Sequence, residues 1–207
     1  MKISLADAAA FVSESPGLTE YGMSESAIGE ASFEARLLEL EAREEIRQLV
    51  SRYALALDSR DPTALAALFV SDVKVGDGRA GREALAEWFG EILRPYTITF
   101  HLIGNHVIEL TGEDRATGVV YCRPEHQVGD LWVVMPMQYW DRYERQDGHW
   151  YFKSRSPHVF YAADVLEHPT TVPGRFHFPG NPMLDKADLP ERWPSWQAFW
   201  AAEIPES

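Results

Sequence analysis

Cysteine is nearly absent from this chain of 207 residues, which has only Cys122. An intrachain disulfide is therefore impossible, and this fits a reducing compartment. The chain also lacks any apolar run near the roughly 18 residues that a membrane-spanning helix requires. The N-terminal stretch MKISLADAAAFV has one lysine, and Asp7 interrupts its short apolar run, so it is a poor signal peptide. We therefore expect a cytoplasmic protein.

Basic residues are also scarce. Lysine and arginine number 19 against 32 aspartates and glutamates, which gives a formal net charge of -13. A nucleic-acid-binding protein needs a basic surface that displaces counterions, and no basic stripe is visible. The same excess of negative charge disfavours an anionic membrane surface. We expect neither nucleic acid nor membrane as a partner.

Motifs for metals, nucleotides and covalent nucleophiles are missing as well. The seven histidines form no HxH or HExxH pair. The segment GDGRAG is typical of a turn and not of a phosphate-binding loop. There is no GxSxG motif, and no neighbouring residues suggest an activated Cys122. We expect no metal and no cofactor.

The chain divides into three regions. Residues 1–32 are rich in Ser, Gly, Ala and Glu and form an N-terminal extension. Residues 33–168 carry strong helix and strand patterns and form the main domain. Residues 169–207 are rich in proline and aromatic residues, and we expect them to pack on this domain or on a neighbouring subunit.

The main domain begins with helices and continues with strands. From Phe33 onward, apolar residues recur mostly at steps of three and four, which predicts one long amphipathic helix. Asp61 followed by Pro62 is typical of the start of a second helix, and REALAEWFGEIL predicts a third. A short strand is predicted in SDVKVGDGRAG. The apolar positions of the long helix are Leu37, Ile46, Leu49, Val50, Tyr53, Ala54 and Leu57.

Four long strands follow the helices. Their segments are YTITFHLIGNHVIEL, ATGVVYCRPEHQV, LWVVMPMQYWDRYERQ and HWYFKSRSPHVFY, with turns at TGEDR and DG. Helices that are separated from a run of antiparallel strands indicate an α+β fold. A curved sheet wrapped around the long helix would form a cone-shaped α+β barrel with a pocket inside.

The segment from about residue 34 to 165 resembles the nuclear-transport-factor-2-like superfamily, SnoaL-like branch. The resemblance rests on IRQLVSRYALALDSRDPTALAALFVSDV, GREALAEWF, HLIGNHVIEL and DGHWYFKSR. Within the superfamily, the residues are most similar to scytalone dehydratases, bile-acid 7α-dehydratases and lindane dehydrochlorinases. These families eliminate a small leaving group from a hydrophobic ring without a cofactor, using a histidine–aspartate pair inside the cone.

The resemblance implies a set of catalytic residues. His101 would be the base, and Asp58 would orient its ring and stabilise its cationic form. Tyr53 and Arg155 would hold a substrate oxygen, and His126 would protonate the leaving group. Glu125 is the alternative to His126, because neighbours in a regular strand face opposite sides.

Each of these residues also has a purely structural interpretation. Asp58 could cap a loop, Tyr53 could be an aromatic core residue, and Arg155 could form a salt bridge at a strand end. His106 lies five residues after His101, so regular alternation places it on the opposite face of the sheet. The candidates for substrate-binding pocket walls are Trp88, Phe89, Tyr121, Glu125, Trp132, Met137 and Tyr139.

The predicted function is that of a cofactor-independent lyase for a hydrophobic substrate, aromatic or polycyclic. Elimination of water and retro-aldol release of a small aldehyde such as formaldehyde would use the same residues, and both remain open. An isomerase or cyclase of the same fold is one alternative, and a non-catalytic ligand-binding domain is another. The resemblance also implies a homo-oligomer, either a trimer or a dimer.

Overall fold

The structure is a computed structural model, and it describes residues 32–76, 78–179 and 184–201. Apart from Ser32, the predicted N-terminal extension lies outside the described residues, as does the C-terminal end from residue 202. None of the described helices is long and apolar enough to cross a membrane.

In the part of the chain that the structure describes, three helices precede the sheet, as the sequence predicts. Helix α1 (Phe33–Asp58) begins where the hydroxyl of Ser32 accepts a hydrogen bond from the backbone of Ala35. Helix α2 (Pro62–Ala67) is capped by Asp61, whose carboxylate accepts a 2.8 Å hydrogen bond from the Ala64 amide. Helix α3 spans Arg82–Ile92. The buried face of α1 consists of Ile46, Leu49, Val50, Tyr53, Ala54, Ala56 and Leu57.

Within the described ranges, six strands follow in one sheet. They are β1 (Ile98–Leu110), β2 (Arg115–Val128), β3 (Leu131–Val134), β4 (Met137–Gln146), β5 (His149–Val159) and β6 (Ala163–Asp164). The predicted third strand is two strands, β3 and β4, because Pro136 interrupts the ladder between them. The predicted short strand after α2 is only an isolated bridge between Lys74 and Ala80.

The long strand β2 organises the sheet. One side of β2 pairs with β1, and its other side pairs first with β4 and then with β3, all antiparallel. The order is β5-β4-β2-β3-β6, with β1 on β2. Helix α1 packs against the concave inner face through β1 and β5. The predicted α+β class, with a curved antiparallel sheet around a long helix, is confirmed.

A bulge in β1 changes which residues face inward. The pairing of β1 with β2 shifts between Ile103 and His106. The one extra residue in β1 brings His106 to the inner face, where its Nε2 lies 3.1 Å from the hydroxyl of Tyr143. The prediction that His106 faces the opposite side from His101 is therefore wrong.

The C-terminal segment packs on both sides of the sheet. It contains two 3-10 turns (Pro169–Thr171 and Pro173–Arg175) and a short helix α4 (Pro194–Ala201). Phe178 packs against inward-facing side chains at the end of the cone. On the outer face, Leu189 is fully buried against Val119 and Trp140.

A second histidine–aspartate pair fastens this segment to the outer face. Nδ1 of His158 lies 2.7 Å from Asp188, and its Nε2 lies 3.2 Å from the hydroxyl of Ser156. This is the hydrogen-bonding order of a hydrolase triad, but Ser156 is buried and Trp140 covers the ring of His158. The three residues therefore form a buried structural contact, because the serine is not exposed to a substrate.

Candidate active site

The centre of the candidate site is a short hydrogen-bonding contact between the carboxylate of Asp58 and the imidazole of His101. Asp58 is the last residue of α1, and His101 is the fourth residue of β1, where that strand crosses the end of the helix. The Oδ1 atom of Asp58 lies 2.7 Å from Nδ1 of His101. Its Oδ2 atom accepts a 2.9 Å hydrogen bond from the His101 backbone amide. The structure therefore brings together two residues that are 43 positions apart.

Hydrogen-bond directions fix the form of the His101 ring. An ionised carboxylate can only accept hydrogen bonds. Nδ1 of His101 must therefore carry the proton that faces Asp58, and in the neutral ring Nε2 holds the free lone pair. No described residue forms a hydrogen bond with Nε2. The ring is thus oriented as a base whose partner stabilises the imidazolium that it would become.

Further hydrogen bonds hold the Asp58 carboxylate in place. The hydroxyl of Thr99 donates a 3.0 Å hydrogen bond to Oδ1, and Arg60 in turn donates a 2.6 Å bond to that hydroxyl. Burial acts to raise the pKa of Asp58, but the hydrogen bonds from His101 and Thr99 lower it below its ordinary value. Asp58 is consequently ionised at neutral pH.

His126 is the second imidazole of the site. It lies on the inner face of β2, and its ring centroid is 5.5 Å from that of His101 at an interplanar angle of 87°. Tyr96 and Phe178 cover it at 5.2 and 5.1 Å. Burial, followed by the nearby charges of His101 and Arg60, lowers the pKa of His126 to about 3. The ring is therefore neutral near pH 7, and its Nδ1 is buried without a hydrogen-bond partner among the described residues.

Tyr53 and Arg155 meet deeper in the cone. The Arg155 guanidinium lies 4.2 Å from the ring centres of both Tyr53 and Tyr139, and 4.3 Å from that of Phe152. Burial raises the pKa of Tyr53 to about 12, so its hydroxyl stays protonated. Tyr53 could donate a hydrogen bond to a substrate but could not act as a base.

Asp141 is a functional candidate that the sequence interpretation missed. It accepts two hydrogen bonds from Arg155, at 2.8 Å from Nε and 2.6 Å from Nη2. Burial would lower the pKa of Arg155, but the Asp141 carboxylate raises it above its ordinary value. The remaining nitrogen, Nη1, is buried and has no partner among the described residues. The salt bridge predicted as the structural alternative is therefore present, and one N–H group remains available inside the cone.

Two more polar residues extend this network. The hydroxyl of Tyr143 donates a 2.7 Å hydrogen bond to Asp141, so the Nε2 atom of His106 must donate to that hydroxyl. Burial lowers the pKa of His106 to about 4, which keeps the ring neutral. The alternation of Tyr139, Asp141 and Tyr143 along β4 is a period-two signal that could have revealed this inward face.

The residues predicted to line the pocket lie in two places, the main core and the outer face of the sheet. Phe89, Met137 and Tyr139 are buried in the main core, with Trp88 packed against it. The placement of Tyr121, Glu125 and Trp132 in the pocket is wrong. The ring of Tyr121 is stacked on Phe160, and the Trp132 indole donates a 2.7 Å hydrogen bond to Glu125 on the outer face.

The alternation of side-chain directions along β2 decides between Glu125 and His126. Residue Pro124 pairs in register with His101 and introduces no bulge in β2, so neighbouring side chains keep opposite directions. His126 faces inward and Glu125 faces outward.

Metal binding needs clustered ligands and thiol chemistry needs an activated cysteine, and the described ranges hold neither. No group of three or more His, Cys, Asp or Glu side chains there could hold a metal ion. Cys122 faces the core between β1 and β4, and burial raises the pKa of its thiol to about 12. The thiol is therefore protonated at neutral pH and is a poor nucleophile.

The sequence and the fold agree with a known family. The model of the SnoaL-like domain family matches residues 38–156, which is more than half of the chain. The chain therefore belongs to the SnoaL-like domain family, within the nuclear-transport-factor-2-like superfamily. Among curated proteins, no sequence matches the chain significantly.

Solved structures with the same fold include enzymes that eliminate small groups. A candidate scytalone dehydratase from Novosphingobium aromaticivorans DSM 12444 is 26% identical with a TM-score of 0.54, covering 66% of this chain and 94% of that one. A hexachlorocyclohexane dehydrochlorinase, LinA type 2, is 24% identical with a TM-score of 0.58, covering 70% and 99%. The LinA type 3 enzyme from Novosphingobium barchaimii LL02 is 21% identical with a TM-score of 0.59, covering 64% and 96%.

Proposed function

We propose that the protein is a cofactor-independent lyase that acts on a hydrophobic substrate, aromatic or polycyclic. The observation that carries this proposal is the 2.7 Å contact between Asp58 and His101. It orients the imidazole of His101 so that its second ring nitrogen can act as a base inside the cone. The family assignment and the similarity to a candidate dehydratase support elimination as the reaction.

The proton transfers follow from the orientation of His101. Nε2 takes a proton from a carbon next to the leaving group, the electron pair of that C–H bond forms the new double bond, and the leaving group departs with its bonding electrons. Asp58 stabilises the resulting imidazolium through its Oδ1 atom. The imidazolium then gives the same proton to a departing hydroxide, which leaves as water, and the base is restored.

A retro-aldol reaction would use the same base. Nε2 would take the proton of a hydroxyl group, the adjacent C–C bond would break, and a small aldehyde such as formaldehyde would leave. The electron pair of the broken bond would remain on the other carbon, which would recover the proton from the imidazolium. The arrangement of His101 and Asp58 supports both reactions equally.

The low pKa of His126 changes the role that the sequence suggested for it. With a pKa of about 3, His126 carries no proton that it could give up as an imidazolium at neutral pH. It would instead donate a hydrogen bond to a substrate oxygen as a neutral ring. The buried Nη1 group of Arg155 and the Tyr53 hydroxyl would serve the same purpose, namely the stabilisation of a developing oxyanion.

The test is a product screen resolved by mass. Hydroxylated aromatic and polycyclic compounds would be incubated with the wild type, with His101→Ala and with Asp58→Asn. His149→Ala is the matched control, because the His149 side chain is 71% exposed and lies outside the cone. Loss of water or formaldehyde by the wild type and by His149→Ala, but not by the two site variants, would establish the lyase.

Other outcomes would favour the alternatives. Products of unchanged mass would indicate an isomerase or cyclase that uses the same base, because such a reaction has no leaving group. Equal activity in His101→Ala and in the wild type would disprove the proposed role of the dyad. Tight binding of a compound that no variant converts would favour a ligand-binding domain.

A further inference from the structure

Arg60 has a backbone conformation that is unfavourable for its residue type. It lies just beyond the end of α1 and has a φ angle of 58°. Helices commonly end with one residue in this left-handed region, and glycine is preferred there because it has no Cβ atom. An arginine at this position costs free energy that glycine would not. The side chain is therefore expected to provide a compensating interaction.

The Arg60 side chain connects the end of α1 to the start of β1. Nη1 donates to the backbone carbonyl of Leu57 at 2.9 Å, and Nη2 donates to that of Tyr96 at 2.7 Å. Nη1 also donates a 2.6 Å hydrogen bond to the hydroxyl of Thr99. These bonds fix the two elements that carry Asp58 and His101.

The chemistry of the groups allows only one direction of hydrogen bonding. A guanidinium group only donates and a carboxylate only accepts. The single hydroxyl proton of Thr99 must therefore point at Asp58, while the lone pairs of its oxygen face Arg60. Thr99 is buried, with 7% of its surface exposed, so water has little access to this chain of bonds.

We infer that Arg60 and Thr99 are positioning residues for the dyad, in which Arg60 fixes the Thr99 hydroxyl and the hydroxyl fixes the Asp58 carboxylate that orients His101. This inference rests on the proposed function for its consequence in catalysis. The hydrogen-bond relay itself exists whether or not the protein is a lyase. The competing interpretation is that Arg60 only caps the helix.

The charge environment of Asp58 agrees with this role. Among the described residues, the titratable groups that interact with it are His101 on β1, His126 and Cys122 on β2, and Arg60 in the loop after α1. The Thr99 hydrogen bond is one of the interactions that lower the pKa of Asp58. Removal of that hydroxyl should therefore make the carboxylate easier to protonate.

The relay can be tested without a substrate by exchanging the Thr99 hydroxyl for a methyl group. Thr99→Val keeps the shape of the side chain, and Thr99→Ser keeps the hydroxyl. The titration of Asp58 would be followed by ¹³C NMR of its carboxyl carbon, assigned with Asp58→Asn. We expect Thr99→Val to raise the midpoint by about one pH unit and Thr99→Ser to retain the wild-type midpoint. Equal midpoints in the wild type and Thr99→Val, or equal shifts in both variants, would overturn the inference.

Arg60→Gly separates positioning from helix capping. Glycine suits the φ angle of 58°, so this variant should fold with a thermal midpoint close to that of the wild type. If Arg60 orients Thr99, the titration midpoint of Asp58 should still move to higher pH. Once a substrate is known, the acid limb of the pH profile of kcat should move in the same direction. An unchanged titration would mean that Arg60 is only a cap. Failure of the product screen alone would leave the NMR result interpretable, so the two proposals fail separately.

Discussion

The buried ion pair of Arg155 and Asp141 should be the most sensitive electrostatic contact in the cone. The two side chains are 3% and 0% exposed, and two hydrogen bonds of 2.8 and 2.6 Å join them. Asp141→Asn keeps the shape of the side chain but removes the charge that compensates the guanidinium. Breaking one partner of a buried pair typically costs about 3–5 kcal/mol. We expect the free energy of unfolding to fall by that amount, which is a large part of the ~5–15 kcal/mol of an ordinary domain.

The measurement is urea denaturation at a fixed protein concentration, with a matched exposed pair as the control. Arg175 and Glu191 are also 2.6 Å apart, but their side chains are 33% and 51% exposed. Glu191→Gln should therefore cost no more than about 1 kcal/mol. The double variant with Arg155→Met and Asp141→Leu should recover most of the lost stability, because it leaves no unpaired charge. If Asp141→Asn cost no more than Glu191→Gln, the argument from burial would be refuted.

Three further predictions follow from single residues. His126 has a folded pKa of about 3 and an unfolded value of about 6.5, so the unfolded state binds more protons between these values. This residue alone should therefore lower the stability by about 3 kcal/mol from pH 7 to pH 4, and His126→Gln should remove that contribution in acid denaturation. At Gly118 a Cβ atom would lie 2.9 Å from the Tyr143 ring, so Gly118→Ala should lower the free energy of unfolding by about 1–3 kcal/mol in urea titrations. Leu102 is 53% exposed on the outer face of β1, and we expect it to lie in a homo-oligomer contact. Leu102→Lys should therefore lower the mass measured by light scattering. The control Leu166→Lys, at a position that is 92% exposed, should leave that mass unchanged.

The helices and the fold class could be predicted because their signals are local. The apolar steps of α1 and the cap at Asp61 depend only on residues a few positions apart. The structure confirms the cap and the buried face of α1, except for Leu37, which is 44% exposed. The split of the third predicted strand could also have been anticipated, because Pro136 cannot donate to a ladder. Local periodicity therefore defined the elements and their order.

The contents of the cone depend on contacts between distant residues. The pairing of Asp58 with His101 was suggested only by resemblance, since nothing in either local sequence specifies the other. The bulge in β1 that turns His106 inward coincides with GN in HLIGNH. This pair marks an irregularity in the strand but is not a clear signal of a bulge. Asp141 was missed because a charged residue is usually exposed, and its partner Arg155 lies 14 residues away across the β4–β5 hairpin.

The cone holds two carboxylates whose partners differ in one decisive property. Asp141 faces an arginine, which keeps its charge at any physiological pH, so this pair remains neutral overall throughout a reaction. Asp58 faces a histidine, whose second ring nitrogen can take up a proton and release it again during a reaction. When His101 takes up a proton, a positive charge appears 2.7 Å from a carboxylate that is already ionised and already held by Thr99. The site could therefore accept that charge without moving a side chain, and for this reason we propose the proton transfer at Asp58 and His101 and a fixed, charge-balanced role for Asp141 and Arg155.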